Sequence, residues 1–301
     1  LAMCLSMLPT AVFAQAAEEG HTHSSPSTQA AEYVAQVNGT KYTTLEEAFA
    51  AIDSFYGRVD LLDDVTLSGE NGKGIAVPYG NIWLDLKGHT VTQQTGVDAE
   101  NFAYNSVFAV GPSTNLTIQD SVGGGKIVQP NAMPAVYVAA SGTLTIEGGT
   151  IETTAAAGGR YPSAVYIYGG DVTITGGNLK SAAAGVYMQN GKLTISGAPT
   201  LQGGSGPALK VDPMGGSCTV SLSGGTYSTE TGSDSIWSGT GTAADLLAEW
   251  LANAVNNEKI KSDTNDRLVA MGGEALAEAL AALGDSDAAS EALAAAQNAA
   301  D

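Results

Sequence analysis

Short stretches in which apolar and polar residues alternate recur through the middle of this 301-residue chain. In LTIEGGTI, for example, Leu144 and Ile146 alternate with Thr145 and Glu147 ahead of a Gly-Gly pair. Alternation with a period of two is the pattern of a β-strand that buries one face, and paired glycines are typical of turns. The pattern therefore predicts short strands whose apolar side chains point into a core and whose polar side chains point out.

These alternating segments form an internal repeat. Their starts are separated by 32, 28, 28, 21 and 27 residues, and the six segments are LDLKGHTV (84–91), LTIQDSVGGGKI (116–127), LTIEGGTI (144–151), VTITGGNL (172–179), LTISGAPTL (193–201) and VSLSGGTY (220–227). A second strand falls between them, as VFAV (107–110), AVYV (135–138), AVYI (164–167), GVYM (185–188), ALKV (208–211) and SIW (235–237). Such a unit cannot bury its apolar face alone, but stacked units share a continuous core. We therefore predict an all-β fold, a parallel β-helix of about six rungs with loops of variable length at its corners.

The segment before the repeats predicts a cap for the first rung. YVAQVNGTKYTT predicts a hairpin around Asn38-Gly39, and Thr44 with Glu47 forms a capping-box pattern for the helix that follows. The apolar residues of that helix that share one face are Leu45, Ala48, Phe49 and Ile52. A cap of this kind is needed because the end of a β-helix exposes core and unpaired strand edge.

The order of these segments carries a family resemblance. VAQVNGTKYTTLEEAFAAI, VDLLDDVTLSG, IAVPYGNIWLDLKGHTV and then repeated LTI-x-GGTI resemble the pectin-lyase-like β-helix regions of gut Firmicutes surface proteins, over about residues 33–238. The resemblance implies a right-handed coil. It does not choose a function, because proteins of this fold include polysaccharide lyases, glycosidases and adhesins.

Composition divides the chain into four parts. Residues 1–16 form an apolar run that ends in small residues and predicts a signal peptide truncated at its start, with cleavage after Ala14 or Ala16. Residues 17–31 are polar and predict a disordered leader, residues 32–242 hold the capped β-helix, and residues 243–301 predict an Ala-rich helical tail. We therefore expect a secreted or cell-surface protein of a Gram-positive-type bacterium.

Charge and cysteine content exclude several classes of partner. The formal net charge of −19 argues against binding to nucleic acid, and no segment beyond the first is apolar enough to predict a membrane span. Removal of the signal peptide leaves Cys218 as the sole cysteine, so no disulfide can form within the chain. Stability must then come from strand pairing and core packing.

Outward positions of the first strand set show little catalytic chemistry. They align as two columns rich in hydroxyl groups, the first being Asp85, Thr117, Thr145, Thr173, Thr194 and Ser221, and the second Lys87, Gln119, Glu147, Thr175, Ser196 and Ser223. Asp85, Lys87 and His89 form the one tight charged group, and we interpret them as solvated side chains on the first rung rather than as a catalytic site.

No cofactor is predicted. Asp60, Asp63 and Asp64 are a candidate calcium group, but their spacing does not match a calcium-binding loop. His21 and His23 lack a third ligand, so no metal site is predicted there.

The second strand set places aromatic residues in one outward column. If Val136 and Val138 and their equivalents face inward, Tyr137, Tyr166 and Tyr187 face outward, and the column continues through Lys210 to Trp237, with Tyr161 and Tyr168 nearby. Stacked rings can simply stabilise the sheet, or they can offer flat amphipathic surfaces to a sugar chain.

The function predicted from this column is noncatalytic binding of a polysaccharide, a surface glycan or another cell-surface protein. The alternative is a polysaccharide lyase or glycoside hydrolase, whose site would be assembled by loops such as 92–105 or 153–161.

Overall fold

The computed structural model describes residues 32–69, 72–97, 101–155, 161–211, 218–222, 224–229 and 241–242. The predicted signal peptide, leader and Ala-rich tail lie outside these described residues, as does Trp237. The prediction of an all-β protein is confirmed, because the described part of the chain consists mainly of strands in three sheets, largely parallel, with two short helices.

Each sheet receives one strand from each repeat. The nine-stranded sheet contains β1 (Ala35–Val37), β2 (Thr40–Tyr42), β3 (Tyr56–Leu61), β6 (Gly80–Asp85), β9 (Thr114–Gln119), β12 (Thr143–Ile146), β15 (Asp171–Ile174), β18 (Gly191–Ile195) and β21 (Cys218–Leu222). The eight-stranded sheet contains β4 (Val65–Thr66), β7 (Thr90–Thr92), β10 (Lys126–Gln129), β13 (Thr150–Thr153), β16 (Asn178–Ser181), β19 (Thr200–Gly203), β22 (Thr226–Thr229) and β23 (Gly241–Thr242). The six-stranded sheet contains β5 (Ile75–Ala76), β8 (Phe108–Val110), β11 (Val136–Val138), β14 (Ser163–Ile167), β17 (Ala184–Met188) and β20 (Leu209–Val211).

Strand pairing follows the sequence repeat. From β3 to β22 each strand pairs in parallel with the strand three elements further along the chain, so equivalent residues of successive repeats lie side by side. The inward positions stack as columns of one residue type, as in Ile118, Ile146, Ile174 and Ile195, all of them fully buried. These columns join in one hydrophobic cluster, which is the core of the described residues.

The register of the first repeat differs from the sequence alignment. Trp83, and not Asp85, pairs with Thr117, while Asp85 pairs with Gln119. Val91 still pairs with Ile127 as aligned. The turn between β6 and β7 therefore contains two more residues than an alignment of this repeat without gaps would place there. Because a shift of two residues keeps every side chain on its own face, the alternation could not reveal it.

The hairpin and the helix predicted ahead of the repeats are both present. β1 and β2 pair antiparallel about Asn38 and Gly39, whose positive φ values of 50° and 87° suit a two-residue hairpin turn. Helix α1 (Leu45–Ala50) begins after Thr44, whose side chain accepts a hydrogen bond from the backbone N–H of Glu47. Its buried residues Leu45, Ala48 and Phe49 join the core, and the Phe49 ring lies 5.7 Å from that of Phe108.

Buried amides anchor a second short helix, α2 (Phe102–Asn105), to the sheets. The side-chain amide of Gln93 donates to the carbonyl oxygens of Gly72 and Asn105, each at 3.0 Å. That of Gln129 donates to the same Asn105 oxygen at 3.1 Å. Buried backbone oxygens need such donors, so these glutamines fix the position of the helix.

Candidate functional site

Three tyrosines lie side by side on the outer face of the six-stranded sheet. Tyr137 pairs with Tyr166, Tyr166 with Tyr187, and Tyr187 with Lys210. The flanking residues Val136 and Val138 are buried in the main core, whereas Tyr166 and Tyr187 belong to a separate cluster that Tyr137 and Tyr161 contact. The register and orientation therefore match the predicted column over these four residues.

The column is mostly covered rather than open. Tyr166 is 1% exposed and Tyr187 is 5% exposed. The ring of Tyr161 lies 4.8 Å from that of Tyr166, at an interplanar angle of 12°, and 5.2 Å from that of Tyr187. Tyr161 holds this place from a positive φ of 57°. Alternation predicted the face of each ring, but it carried no information about the residue stacked above it.

Hydrogen bonds and a cation fix the covered rings. The Tyr166 hydroxyl donates to the side-chain oxygen of Gln189, whose amide nitrogen donates to the Tyr187 hydroxyl at 3.2 Å. The Lys210 ammonium lies 4.9 Å from the centre of the Tyr187 ring, a cation–π distance. Tyr166 and Tyr187 are therefore rigid supports, and they offer little surface of their own to a ligand.

Burial keeps the hydroxyl groups of Tyr166 and Tyr137 protonated. Loss of water raises the pKa of Tyr166 far above its usual range, and the neighbouring hydroxyls of Tyr161 and Tyr187 add to the effect. The pKa of Tyr137 is raised by burial and by Tyr168 and Tyr104. Tyr166 and Tyr137 are therefore neutral at physiological pH, and neither phenol is suited to act as a general base.

The accessible part of the cluster lies at its margin. Tyr168 is 52% exposed and stacks near the half-buried Tyr137, with ring centres 6.4 Å apart and an interplanar angle of 27°. Tyr104, on α2, is 67% exposed. We call Tyr104, Tyr137 and Tyr168 the tyrosine rim. Tyr168 was among the predicted site residues, whereas Tyr104 was missed because helix α2 has no partner in the repeats.

The charged group of the first repeat is structural, and the prediction that it is solvated is wrong for Asp85. The Asp85 side chain is fully buried. One carboxylate oxygen lies 3.0 Å from Arg58 Nη2, 2.8 Å from Gln119 Nε2 and 3.3 Å from Lys87 Nζ. The other oxygen accepts from the backbone N–H groups of Lys87 at 3.2 Å and Ser121 at 3.0 Å. These contacts fix the long corner after β6.

The pKa of Asp85 agrees with a structural role for its carboxylate. Burial alone would raise the pKa of Asp85, but hydrogen bonds from Ser121, Gln119 and Lys87 outweigh it and hold the pKa well below its usual range. His89 lies apart, with Nδ1 3.7 Å from an oxygen of Asp64. A carboxylate with both oxygens engaged and no exposed surface is not placed to exchange protons with a substrate.

The aspartates of the candidate calcium group have separate partners. Asp60 lies 2.9 Å from Arg58 Nε, and Asp64 accepts from the backbone N–H of Thr90 at 2.7 Å. The Asp63 carboxylate accepts from the backbone N–H of Asp64. Within the described ranges, no group of three or more His, Cys, Asp or Glu residues is arranged to hold a metal ion.

A second aromatic surface lies at the other end of the described chain. Phe55, Tyr56 and Tyr79 are 45%, 62% and 64% exposed, and Trp83 is partly exposed beside them. We call these four residues the N-terminal aromatic face. The sequence did not predict it because the repeat alignment begins at Leu84 and does not include the outward positions of YGRVDL and GNIWLD. Their outward positions, which include Tyr56 and Trp83, were the available signal.

Comparison with known proteins does not assign either surface. No protein-family model, no curated protein and no solved structure matches the chain. Among the described residues, no helix has the length and apolar character needed to cross a membrane.

Proposed function

We propose that this protein is a noncatalytic, secreted or cell-surface β-helix protein that binds a glycan through the tyrosine rim. The observation that carries the proposal is the placement of exposed Tyr168 and Tyr104 beside Tyr137, at the margin of the buried tyrosine cluster. Aromatic rings pack against the C–H faces of sugars, while their hydroxyls and polar neighbours bond to sugar hydroxyls.

The β-helix part of the proposal is supported by the order of the strands. Strands from β3 to β22 enter the nine-, eight- and six-stranded sheets in strict rotation, and each pairs with its equivalent in the next repeat. A chain that coils about one axis gives this order. Right-handed winding is the expected hand, because nearly all parallel crossover connections take it.

Secretion is supported by sequence. Residues 1–14 combine an apolar run with small residues at its end, which is the pattern of a secretory signal. The net charge of −19 and the absence of any cysteine pair beyond residue 4 are compatible with a soluble extracellular protein.

Binding without catalysis is supported by the contacts of the charged group around Asp85. A hydrolase or lyase needs an acid and a base that reach one bound substrate. Among the described residues, the buried carboxylate of Asp85 binds Arg58, Lys87 and a corner of the backbone. The one tight charged group of the repeats thus holds the fold together, which supports binding over the alternative of a lyase or hydrolase.

The proposal is tested by glycan-array binding of the purified chain and of a variant with Tyr104→Ala and Tyr168→Ala. We expect the variant to lose about tenfold or more in affinity, a change of about 1.4 kcal/mol, because it removes two large aromatic rings from the contact. Tyr33→Ala is the matched control, since Tyr33 is 44% exposed and lies outside the cluster.

Three outcomes would contradict the proposal. If the parent protein binds no glycan on the array, glycan binding is wrong. If the parent binds and the rim variant binds equally well, the glycan is held elsewhere. Release of unsaturated or reducing sugars from a polysaccharide by the parent protein would favour the lyase or hydrolase instead.

A further inference from the structure

We propose that the N-terminal aromatic face is a second binding site, separate from the tyrosine rim, and that its ligand is a neutral glycan chain. The face comprises Phe55, Tyr56, Tyr79 and Trp83. It lies on β3, β6 and the segments that precede them, and so belongs to the nine-stranded sheet rather than the six-stranded one. The two sites therefore share no strand, and each can be removed without the other.

Exposed apolar surface is concentrated at this face. Seven large apolar side chains are substantially exposed in the described residues, and Phe55, Tyr56 and Tyr79 are three of them. The Phe55 ring lies 5.2 Å from that of Tyr56 and 5.3 Å from that of Tyr79. A contiguous aromatic patch that stays in water is a signal of a binding surface, whereas single exposed rings are not.

Two of the four rings are close to parallel and form a small platform on the sheet, whereas Phe55 is edge-on to Tyr56 at 78° and to Tyr79 at 67°. Tyr56 and Trp83 are close to parallel, with an interplanar angle of 16° and ring centres 6.5 Å apart. They come from adjacent paired strands, since Tyr56 pairs with Asn81 and Arg58 pairs with Trp83. The near-parallel pair, with the edge-on Phe55 beside it, offers aromatic surface against which the apolar faces of sugar rings in an extended chain can pack.

Groups beside the platform are held in place in the protein without ligand. The guanidinium of Arg58, next to Trp83 in register, is held by Asp60 at 2.9 Å and by the buried Asp85 at 3.0 Å. The carbonyl oxygen of Phe55 accepts from the backbone N–H of Asn81 at 2.7 Å. Groups that are already ordered lose little conformational freedom on binding, which favours affinity.

Polar groups beside the platform suit sugar hydroxyls. Asn115 donates to the side-chain oxygen of Asn81 at 2.6 Å, and this amide pair continues the column that starts at Tyr56. Thr117 continues the column of Arg58 and Trp83. Amides and hydroxyls both donate and accept, as sugar hydroxyls require.

Charge selects a neutral chain over an acidic one. The positive charge of Arg58 is already paired with two aspartates, Asp60 and Asp85. The whole chain carries a formal net charge of −19. A polyuronate would be repelled by this net negative charge, and the charge of Arg58 is already paired with the two aspartates, whereas a neutral glycan would not be repelled.

The test is titration calorimetry of the full chain with cellohexaose, mannohexaose and xylohexaose, and with polygalacturonate as the acidic comparison. We expect at least one neutral hexasaccharide to bind and polygalacturonate to bind at least about tenfold more weakly. Tyr56→Ala with Tyr79→Ala should weaken that binding by about tenfold or more. Tyr56→Phe, which retains the ring, should bind within about twofold of the parent, since only the hydroxyl is lost.

Variants of the tyrosine rim separate this proposal from the first. Tyr104→Ala with Tyr168→Ala should leave hexasaccharide binding at the N-terminal aromatic face unchanged. The proposal is overturned if no neutral hexasaccharide binds, if polygalacturonate binds more tightly, or if Tyr56→Ala with Tyr79→Ala binds like the parent. Loss of binding in the rim variant alone would support the rim and overturn this second site.

Discussion

At the scale of single residues, Asp85 shows how one carboxylate can organise a corner. It has no exposed surface, yet it accepts from two side chains and two backbone N–H groups and lies 3.3 Å from the Lys87 ammonium. A buried charge is tolerated only when it is paired and hydrogen-bonded in this way. The corner it supports is the one that carries the two additional residues of the first repeat.

Asp85→Asn should therefore destabilise the protein by about 2–4 kcal/mol at neutral pH, because it removes the charge while keeping the shape. Urea unfolding measures this difference. Asp53→Asn is the control, since Asp53 is exposed on the surface. Equal midpoints for both variants would show that the buried contacts do not stabilise the fold.

The same comparison has a defined pH dependence. The pKa of Asp85 is depressed in the folded state, so its contribution is fully present above the unfolded value of about 3.9 and is lost as pH falls below it. The stability difference between parent and Asp85→Asn should therefore shrink in acid.

The alternation of apolar and polar residues predicted which face a side chain lies on better than it predicted whether that side chain is exposed to solvent. The alternation of apolar and polar positions placed Tyr137, Tyr166 and Tyr187 on the outer face, and the strand register confirms that column. Whether a ring is open to solvent depends on residues distant in sequence. Tyr161, which stacks on Tyr166 and Tyr187, lies ahead of β14 and belongs to no alternating strand.

At the scale of elements, Gly149, between β12 and β13, leaves room for the side chain of Leu86. Gly149 has a φ of +82°, and a Cβ atom there would lie 2.6 Å from Cδ1 of Leu86. Leu86 is fully buried, so it has little room to move away. Gly124 has a similar φ of +89° but nothing within 4 Å of its Cβ position.

Alanine substitutions at Gly124 and Gly149 separate the energetic cost of backbone strain from the cost of side-chain overpacking. Gly124→Ala should cost about 1 kcal/mol from its positive φ. Gly149→Ala should cost about 1–3 kcal/mol more, because the methyl group overpacks against Leu86. Chemical denaturation of both variants tests the difference, and equal losses would mean that Leu86 adapts freely.

Element positions were predicted where the repeat is regular and misplaced where it is not. The strands from 116 to 195 pair as the alignment expected. The first repeat was misregistered by two residues because its corner is longer, and Lys87, with a φ of +52°, lies in that corner instead of in a column. Corner length is set by turn geometry, which hydrophobic alternation does not encode.

At the scale of the whole molecule, buried phenols link folding to alkaline pH. Tyr166 and Tyr227 are almost fully buried, and burial raises the pKa of each far above its usual range. A raised folded-state pKa contributes stability below the unfolded value of about 10, and this contribution is lost as pH rises above it.

Of the 11 tyrosines in the chain, we therefore expect Tyr166 and Tyr227 to ionise only when the protein unfolds. Near-ultraviolet absorbance of tyrosinate, followed together with circular dichroism during an alkaline titration, measures this. Ionisation of all 11 tyrosines while the far-ultraviolet signal stays native would contradict the expectation.

The whole-molecule architecture was the most predictable feature, because it depends on a repeat that the sequence states many times. The all-β character, the parallel sheets and the cap followed from alternation, glycine turns and one amphipathic helix. The N-terminal aromatic face did not follow. It is assembled from β3, β6 and the segments before them, which contribute one or two rings each.

The parallel pairing of each strand with its equivalent in the next repeat also has an evolutionary consequence. The N-terminal aromatic face lies on β3 and β6, whereas the tyrosine column spans β11, β14 and β17. Duplication or deletion of one complete repeat between them would change their separation by one interstrand step, about 4.8 Å. Every new interface would resemble an existing one, so repeat copy number could adjust the distance between the two proposed binding sites without altering either of them.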